Sequence, residues 1–375
     1  MEQMAWRDPK AQWWWLGLVV PLLPLVGLAA WQVSGGEAWL WIGPVVLYGL
    51  VPLLDAWLGE DRSNPPEAAV AALSADRRYN RVLLAFVPVQ LAGLALALWT
   101  AVHGGLSVLG WIGLLATTGL VSGAGINLAH ELGHRRASWA VWLARVALAP
   151  ACYGHFQVEH NRGHHVRVAT PEDPASARFG ESYWAFLPRT LSGSLQSAWR
   201  LERDRLRRVQ RPAWHPSNVL LQAWAMSLVL LLAVAAWLGP LAVLFFLLQA
   251  LYGAALLETV NYIEHYGLLR QRGPDGRPER CGPQHSWNSN HLVSNLLLFQ
   301  LQRHADHHAH PTRPYQALRH FDDAPQLPAG YSALIPVACI PPLWFWLMDR
   351  RVLAHYGGER SRCNLGIDRP ALAAN

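Results

Sequence analysis

Six stretches of about twenty apolar residues dominate this chain. A stretch of that length can satisfy its own backbone polar groups in a bilayer only by becoming a helix long enough to cross it. They run over 13–33, 38–58, 81–102, 106–128, 219–238 and 241–262. Residues 82–99 hold no charged side chain, so a helix there has no polar face to turn toward water, as a helix of a soluble core would. Charged residues make up only 15% of the chain, against about a quarter in a soluble domain, which sets a large solvated surface aside. The first stretch follows Arg7, Asp8 and Lys10 and lacks a small-residue cleavage site, so it is expected to stay as a span rather than leave as a signal peptide. The expected fold is all-α: one integral membrane domain over 1–375, a bundle of six transmembrane helices, without repeats or low-complexity linkers.

Arginine placement orients the bundle. The links after spans one, three and five (34–37, 103–105 and 239–240) contain no Lys or Arg, and the remaining links hold almost all the basic residues. Positive residues stay on the cytoplasmic side, which places both termini, segment 129–215 and segment 263–375 inside. The net charge is +6, but Lys10 is the only lysine and the arginines crowd beside the spans. That pattern fits lipid headgroups and an acidic protein partner rather than nucleic acid. Four cysteines without a C-x-x-C pair support neither a zinc ribbon nor a disulfide framework. Between spans four and five, 140–150 is apolar but too short to cross, and is expected to lie along the interface or pack on the site described next. Residues 202–211 read as the charged face of a helix. Segment 331–348, broken by Pro336, Pro341 and Pro342, reads as a membrane-surface or half-inserted segment rather than a seventh span.

Nine of the seventeen histidines fall into four groups on that cytoplasmic side: His130 and His134, then His160, His164 and His165, then His265, then His304, His307 and His308. Histidines four apart on a helix present both imidazoles on one face, so His130 pairs with His134 and His160 with His164. His165, turned by about 100°, reaches toward a second ion, and His304, His307 and His308 can also serve two. Imidazole suits iron, copper, nickel and zinc alike. Glu131, Glu159, Asp173, Glu264 and Asp306 lie close enough in sequence to orient these rings or join the cluster. Read alone, His130-Glu131-Leu132-Gly133-His134 is also the zinc-protease helix with Glu131 as general base. That enzyme needs only three protein ligands and would leave most of the other histidines unused. A metal or proton transporter would place ionisable groups near the bilayer middle, whereas the main span carboxylates, Asp55 and Glu258, lie toward cytoplasmic ends.

The boxes at His130, His160 and His304 resemble those of integral-membrane desaturases and hydroxylases. Within that group, Asn127 to His134, Glu159 to His165, Ala169 to Ala175, Asn261 to Gly267 and Leu301 to His308 resemble the alkane 1-monooxygenases, and the likeness extends from Pro52-Leu53-Leu54-Asp55 to Pro311 through Gln316. The resemblance implies a non-haem di-iron enzyme of a bacterial inner membrane that uses dioxygen to hydroxylate the terminal methyl of medium- or long-chain n-alkanes. His130, His134, His160, His164, His165, His265, His304, His307 and His308 would be the ligands of two irons, forming a cytoplasmic histidine-rich cap. A desaturase or hydroxylase of lipids is the neighbouring reading. The resemblance also places Leu47 where relatives carry a bulky channel residue, although a lipid-facing leucine is equally compatible. Without a flavin or nicotinamide fingerprint or a C-x-x-C iron site, electrons have to come from outside. The family uses a rubredoxin and its reductase. Rubredoxins are acidic, which makes Arg203, Arg207, Arg208 and Arg211 a candidate docking face, with headgroup binding as the alternative.

Overall fold

Six helices long and apolar enough to cross a membrane run over Trp13–Ser34, Glu37–Leu58, Arg77–His103, Val108–Gly133, Val219–Leu238 and Pro240–His265. The computed structural model describes residues 6–366; the outermost positions of both expected cytoplasmic termini, 1–5 and 367–375, lie outside the described residues. No strand forms among the described residues, which hold only isolated bridges. Side chains mark several helix starts. Ser107 accepts the Gly110 N–H at the fourth span, and Asn218 accepts those of Leu220 and Leu221 at the fifth. The fourth and sixth spans run beyond their apolar stretches, and that overrun carries His130 and His265.

The fourth span is the centre of the bundle: 67% of its apolar window is buried, against 17% for the second. It meets the sixth through glycines. A Cβ on Gly253 would lie 2.9 Å from the Gly123 nitrogen, and one on Gly119 would lie 2.4 Å from the Tyr252 ring. Apolar burial does not drive helix association in lipid, so close backbone approach of this kind is what holds two spans together. Both helices end on the same side, and their ends carry the first and third histidine groups.

The segment after the fourth span does not cross, as its length requires. Helix Ser138–Leu148 packs into the bundle against the end of the fourth span, and the chain turns back after it. Gln90, midway along the third span, donates to the Ala147 carbonyl at 3.3 Å, and Gln249 of the sixth donates to that of Pro150 at 2.7 Å. Backbone that stops being helical inside a membrane is tolerable only where protein groups satisfy it, and these two amides do so. The hairpin presses Ala140, Ala144, Ala147 and Leu148 into the core beside Ile126 and Leu128, then returns the chain to the histidine side at Phe156.

Two further elements cover that side. Helix Tyr183–Arg208 is amphipathic, and its charged end differs in one respect from a fully solvated face. Glu202 is buried, accepting from Arg162 at 2.9 Å, Arg205 at 2.6 Å and the Val219 N–H at 2.8 Å. The apolar segment 331–348 does not form a seventh span. It folds as Tyr331–Ala338 and Pro341–His355, breaking ahead of the Pro341-Pro342 pair, while Pro336 sits inside the first helix. Tyr331, Leu334, Trp344 and Met348 pack against Tyr262 and Tyr266, and Ile340, Leu343 and Trp346 are exposed.

Candidate metal centre

All nine histidines converge into two groups, His130, His134, His160, His165 and His307 in one and His164, His265, His304 and His308 in the other. In each, the candidate ligand atoms lie within 4.8 Å of one another. Neighbouring Nε2 atoms are 2.8 Å apart for His130 and His307, 3.1 Å for His134 and His160, and 3.0 Å for His165 with both His160 and His307. In the second group they are 3.2 Å apart for His164 and His308, 3.2 Å for His265 and His304, and 2.9 Å for His304 and His308. An ion with imidazole nitrogens at about 2.1 Å sets adjacent octahedral donors about 3 Å apart, so both groups have the dimensions of a metal shell.

The pairing along the second box is not the one a regular α-helix dictates. His160 joins His165, and His164 faces the other group, because His160–His164 is a π-helical turn that advances more slowly per residue. The last box keeps α geometry in His304–Ala309, so His304 and His308 stay together while His307 crosses to the five-histidine group. His164 with His165, and His307 with His308, thereby tie the two groups to each other.

Burial and mutual repulsion favour the neutral form of several of these rings. Burial first, then the neighbouring histidines, pushes His160, His165, His304, His307 and His308 well below the ordinary imidazole range, and His134 down to about 4. A neutral ring leaves a nitrogen lone pair for an ion, so an all-imidazole set of this kind fits a divalent metal such as iron.

The five acidic residues part company. Asp173 Oδ2 accepts from His164 Nδ1 at 2.9 Å, turning Nε2 inward, and is itself held by the Ser176 hydroxyl at 2.6 Å. Burial alone would raise the Asp173 carboxyl, but His164 and these hydrogen bonds outweigh it and hold it below the usual range. Glu264 lies 3.2 Å from His304 Nε2 and accepts from the Tyr331 hydroxyl at 2.9 Å. The others turn away: Glu131 pairs with Arg135 at 2.7 Å and Glu159 with Arg167 at 2.6 Å. Asp306 accepts from Arg313, His310 and the Arg319 N–H, which braces the chain behind the last box. Glu131 thus lacks the placement of a protease's general base. Tyr331 escaped the sequence reading because it sits in a segment whose apolar pattern pointed only to the membrane. Asp55 had another role: its carboxylate accepts the Val293 and Ser294 N–H groups at 2.9 and 3.1 Å, anchoring the second span to the chain that leads to His304.

Leu47 is 9% exposed and lines an apolar cavity of about 50 Å³ with Asn127, Val260, Leu301 and Ile335. Asn127 and Leu301 each stand three residues before a histidine box, at His130 and His304, so the chain leads from this cavity's wall to the histidines. A second, open cavity of about 910 Å³ has His134 in its wall among Arg77, Arg135 and Arg136. Arg203, Arg207, Arg208 and Arg211 are exposed at the end of helix Tyr183–Arg208, with Arg203 paired to Asp204 and Arg211 to Ser217.

The model of the fatty acid desaturase family matches residues 105–338. Alkane 1-monooxygenase 1 of Alcanivorax borkumensis is 44% identical over 96% of this chain and 89% of its own length. Alkane 1-monooxygenase 2 of Pseudomonas aeruginosa is 45% identical over 93% of this chain and 94% of its own. A more distant likeness, 26% identical over 95% and 93%, links the chain to the hydroxylase component of the xylene/toluene monooxygenase of Pseudomonas putida.

Proposed function

Because the chain belongs to the alkane 1-monooxygenases, within the fatty acid desaturase family, we propose that it converts medium- and long-chain n-alkanes to 1-alkanols with dioxygen on a pair of non-haem irons. The observation that carries this reading is the convergence of nine imidazoles, as five and four, at the ends of spans whose neighbouring residues line an apolar cavity. His130, His134, His160, His165 and His307 would hold one iron, and His164, His265, His304 and His308 the other. Such a pair supplies dioxygen activation and the power to remove a hydrogen atom from an unactivated methyl group.

The chain supplies position. Asp173 orients His164, and Glu264, steadied by Tyr331, stands beside His304. Terminal selectivity calls for a passage that admits a chain end-on and keeps water out, and Leu47, Val260 and Leu301 give such walls. The oxidation needs two electrons from outside. We assign their delivery to a rubredoxin, recharged by its reductase, at the cytoplasmic face of a bacterial inner membrane, where the arginine-free links on the opposite side support that orientation. Two basic surfaces suit an acidic carrier: the Arg203, Arg207, Arg208 and Arg211 end of its helix, and the cavity where Arg77, Arg135 and Arg136 surround His134.

The test is the purified protein in lipid nanodiscs with rubredoxin, its reductase and octane. The expected result is 1-octanol from protein carrying about two irons per chain, with both diminished in His265→Ala. Desaturation of a fatty acyl substrate instead, or a single bound zinc, would overturn the assignment.

A further inference from the structure

We propose that hydrocarbon enters sideways from the bilayer, through an apolar groove that ends at a gate formed by Tyr48 and Tyr252. This rests on the reading that an n-alkane is the substrate. The groove, about 480 Å³, lies between helix Tyr183–Arg208, the sixth span and helix Tyr331–Ala338. Its rim includes Trp184, 58% exposed, and Leu251, 56% exposed, the latter on the sixth span. Tyr48, Leu256 and Ile335 line both this groove and the inner cavity that Asn127 and Leu301 connect to the histidine boxes, so the two spaces share a wall rather than merely lying near each other.

The gate itself is a pair of phenols. The Tyr48 and Tyr252 hydroxyls are 3.2 Å apart, each the other's partner in otherwise apolar surroundings. Their pairing keeps the closed state dry, and a swing of either ring joins groove to cavity. Backbone geometry prepares both sides. The second span relaxes into a π-helical turn at Val46–Leu50, which carries Leu47 and Tyr48, a departure that recurs at functional sites. On the fourth span, glycines replace the side chains that would fill the space behind the gate: a Cβ on Gly119 would meet the Tyr252 ring at 2.4 Å, and one on Gly123 would meet Leu256 at 2.8 Å. A substrate that partitions into hydrocarbon reaches this groove without crossing water, whereas the cavity at His134 sets Arg77, Arg135, Arg136 and Asp76 in its wall.

Filling the groove should hinder entry without altering the metal centre. Ala255→Trp and, from a different element, Ile335→Trp are compared with the unaltered enzyme in nanodiscs, reading iron content together with kcat and KM for alkanes of increasing length. The expected outcome is full iron loading and a KM raised about tenfold, far more than kcat falls, with the order of preference among chain lengths kept for Ala255→Trp. Tyr252→Phe, which breaks the hydroxyl pair but keeps the ring, should lower KM instead. An iron-loaded Ala255→Trp or Ile335→Trp enzyme with unaltered kcat/KM at every length overturns the portal, and would mark the groove as a seat for lipid acyl chains only. Failure of the unaltered enzyme to form any 1-alkanol would defeat the functional reading and the portal together.

Discussion

An imidazole binds a cation only through an unprotonated nitrogen, and burial favours that state here. His134 and His155 are both driven by burial to about 4, His134 with a further push from His164. The sign of the consequence follows. Unfolded histidines take up protons below about 6.5, while these stay neutral when folded, so unfolding binds protons between roughly 6.5 and 4 and stability falls with pH across that window. Metal-free protein in detergent should hold its unfolding midpoint above about pH 6.5 and lose it progressively below. A midpoint that stays level down to pH 4 would contradict this account. Asp173 is the residue whose removal should most clearly separate the two groups. Asp173→Ala frees His164 to turn, and should weaken iron retention about 10- to 100-fold at the four-histidine group alone. Titration with ferrous ion would show one weakened step out of two; equal weakening of both steps would count against the assigned grouping.

At the scale of elements, apolar length marks the helices, and histidine spacing marks the pairing only in part. The spacing His130 to His134 and His304 to His308 behaves as α geometry requires, because both lie on α-helix or at its end. The second box does not, since one π turn at His160–His164 exchanges the partners of His164 and His165. Nothing in the residue types of His160 through His165 announces that turn. The hairpin around Ser138–Leu148 is legible in part for a similar reason: its length excludes a crossing, but only the tertiary structure brings the distant amides of Gln90 and Gln249 to its carbonyls. Helix contact between the fourth and sixth spans sets the distance between His130 and His265. Gly253→Ala, whose added carbon would stand 2.9 Å from both the Gly123 nitrogen and Ser122 Cβ, should force these spans apart and destabilise the fold by about 1–3 kcal/mol. Thermal unfolding together with iron content would measure it; an unshifted midpoint with full iron would show that the spans can absorb the extra carbon.

At the scale of the whole molecule, the proposed function requires three routes to meet at one place: hydrocarbon from the bilayer, electrons from a soluble carrier, and dioxygen. Which basic surface takes the carrier is decided by charge reversal, because long-range attraction acts on the association rate and fades with salt. The cavity holding His134 brings a docked carrier closest to an exposed edge of the histidines, so Arg77→Glu with Arg136→Glu should slow rubredoxin-driven turnover about tenfold or more at low salt. Arg207→Glu with Arg208→Glu should cost less, and the reverse ranking would return the docking face to the helix end. The amino-acid sequence by itself determined the membrane bundle, its crossings and the nine histidines, because those depend on local apolar length and on side-chain chemistry that no partner can alter. Only the tertiary structure decided which imidazole faces which, what Asp173 and Glu264 touch, how the hairpin is satisfied and where a groove meets the inner cavity. Each of these is set by contacts between residues far apart in the chain, and such contacts leave no period in the sequence to read.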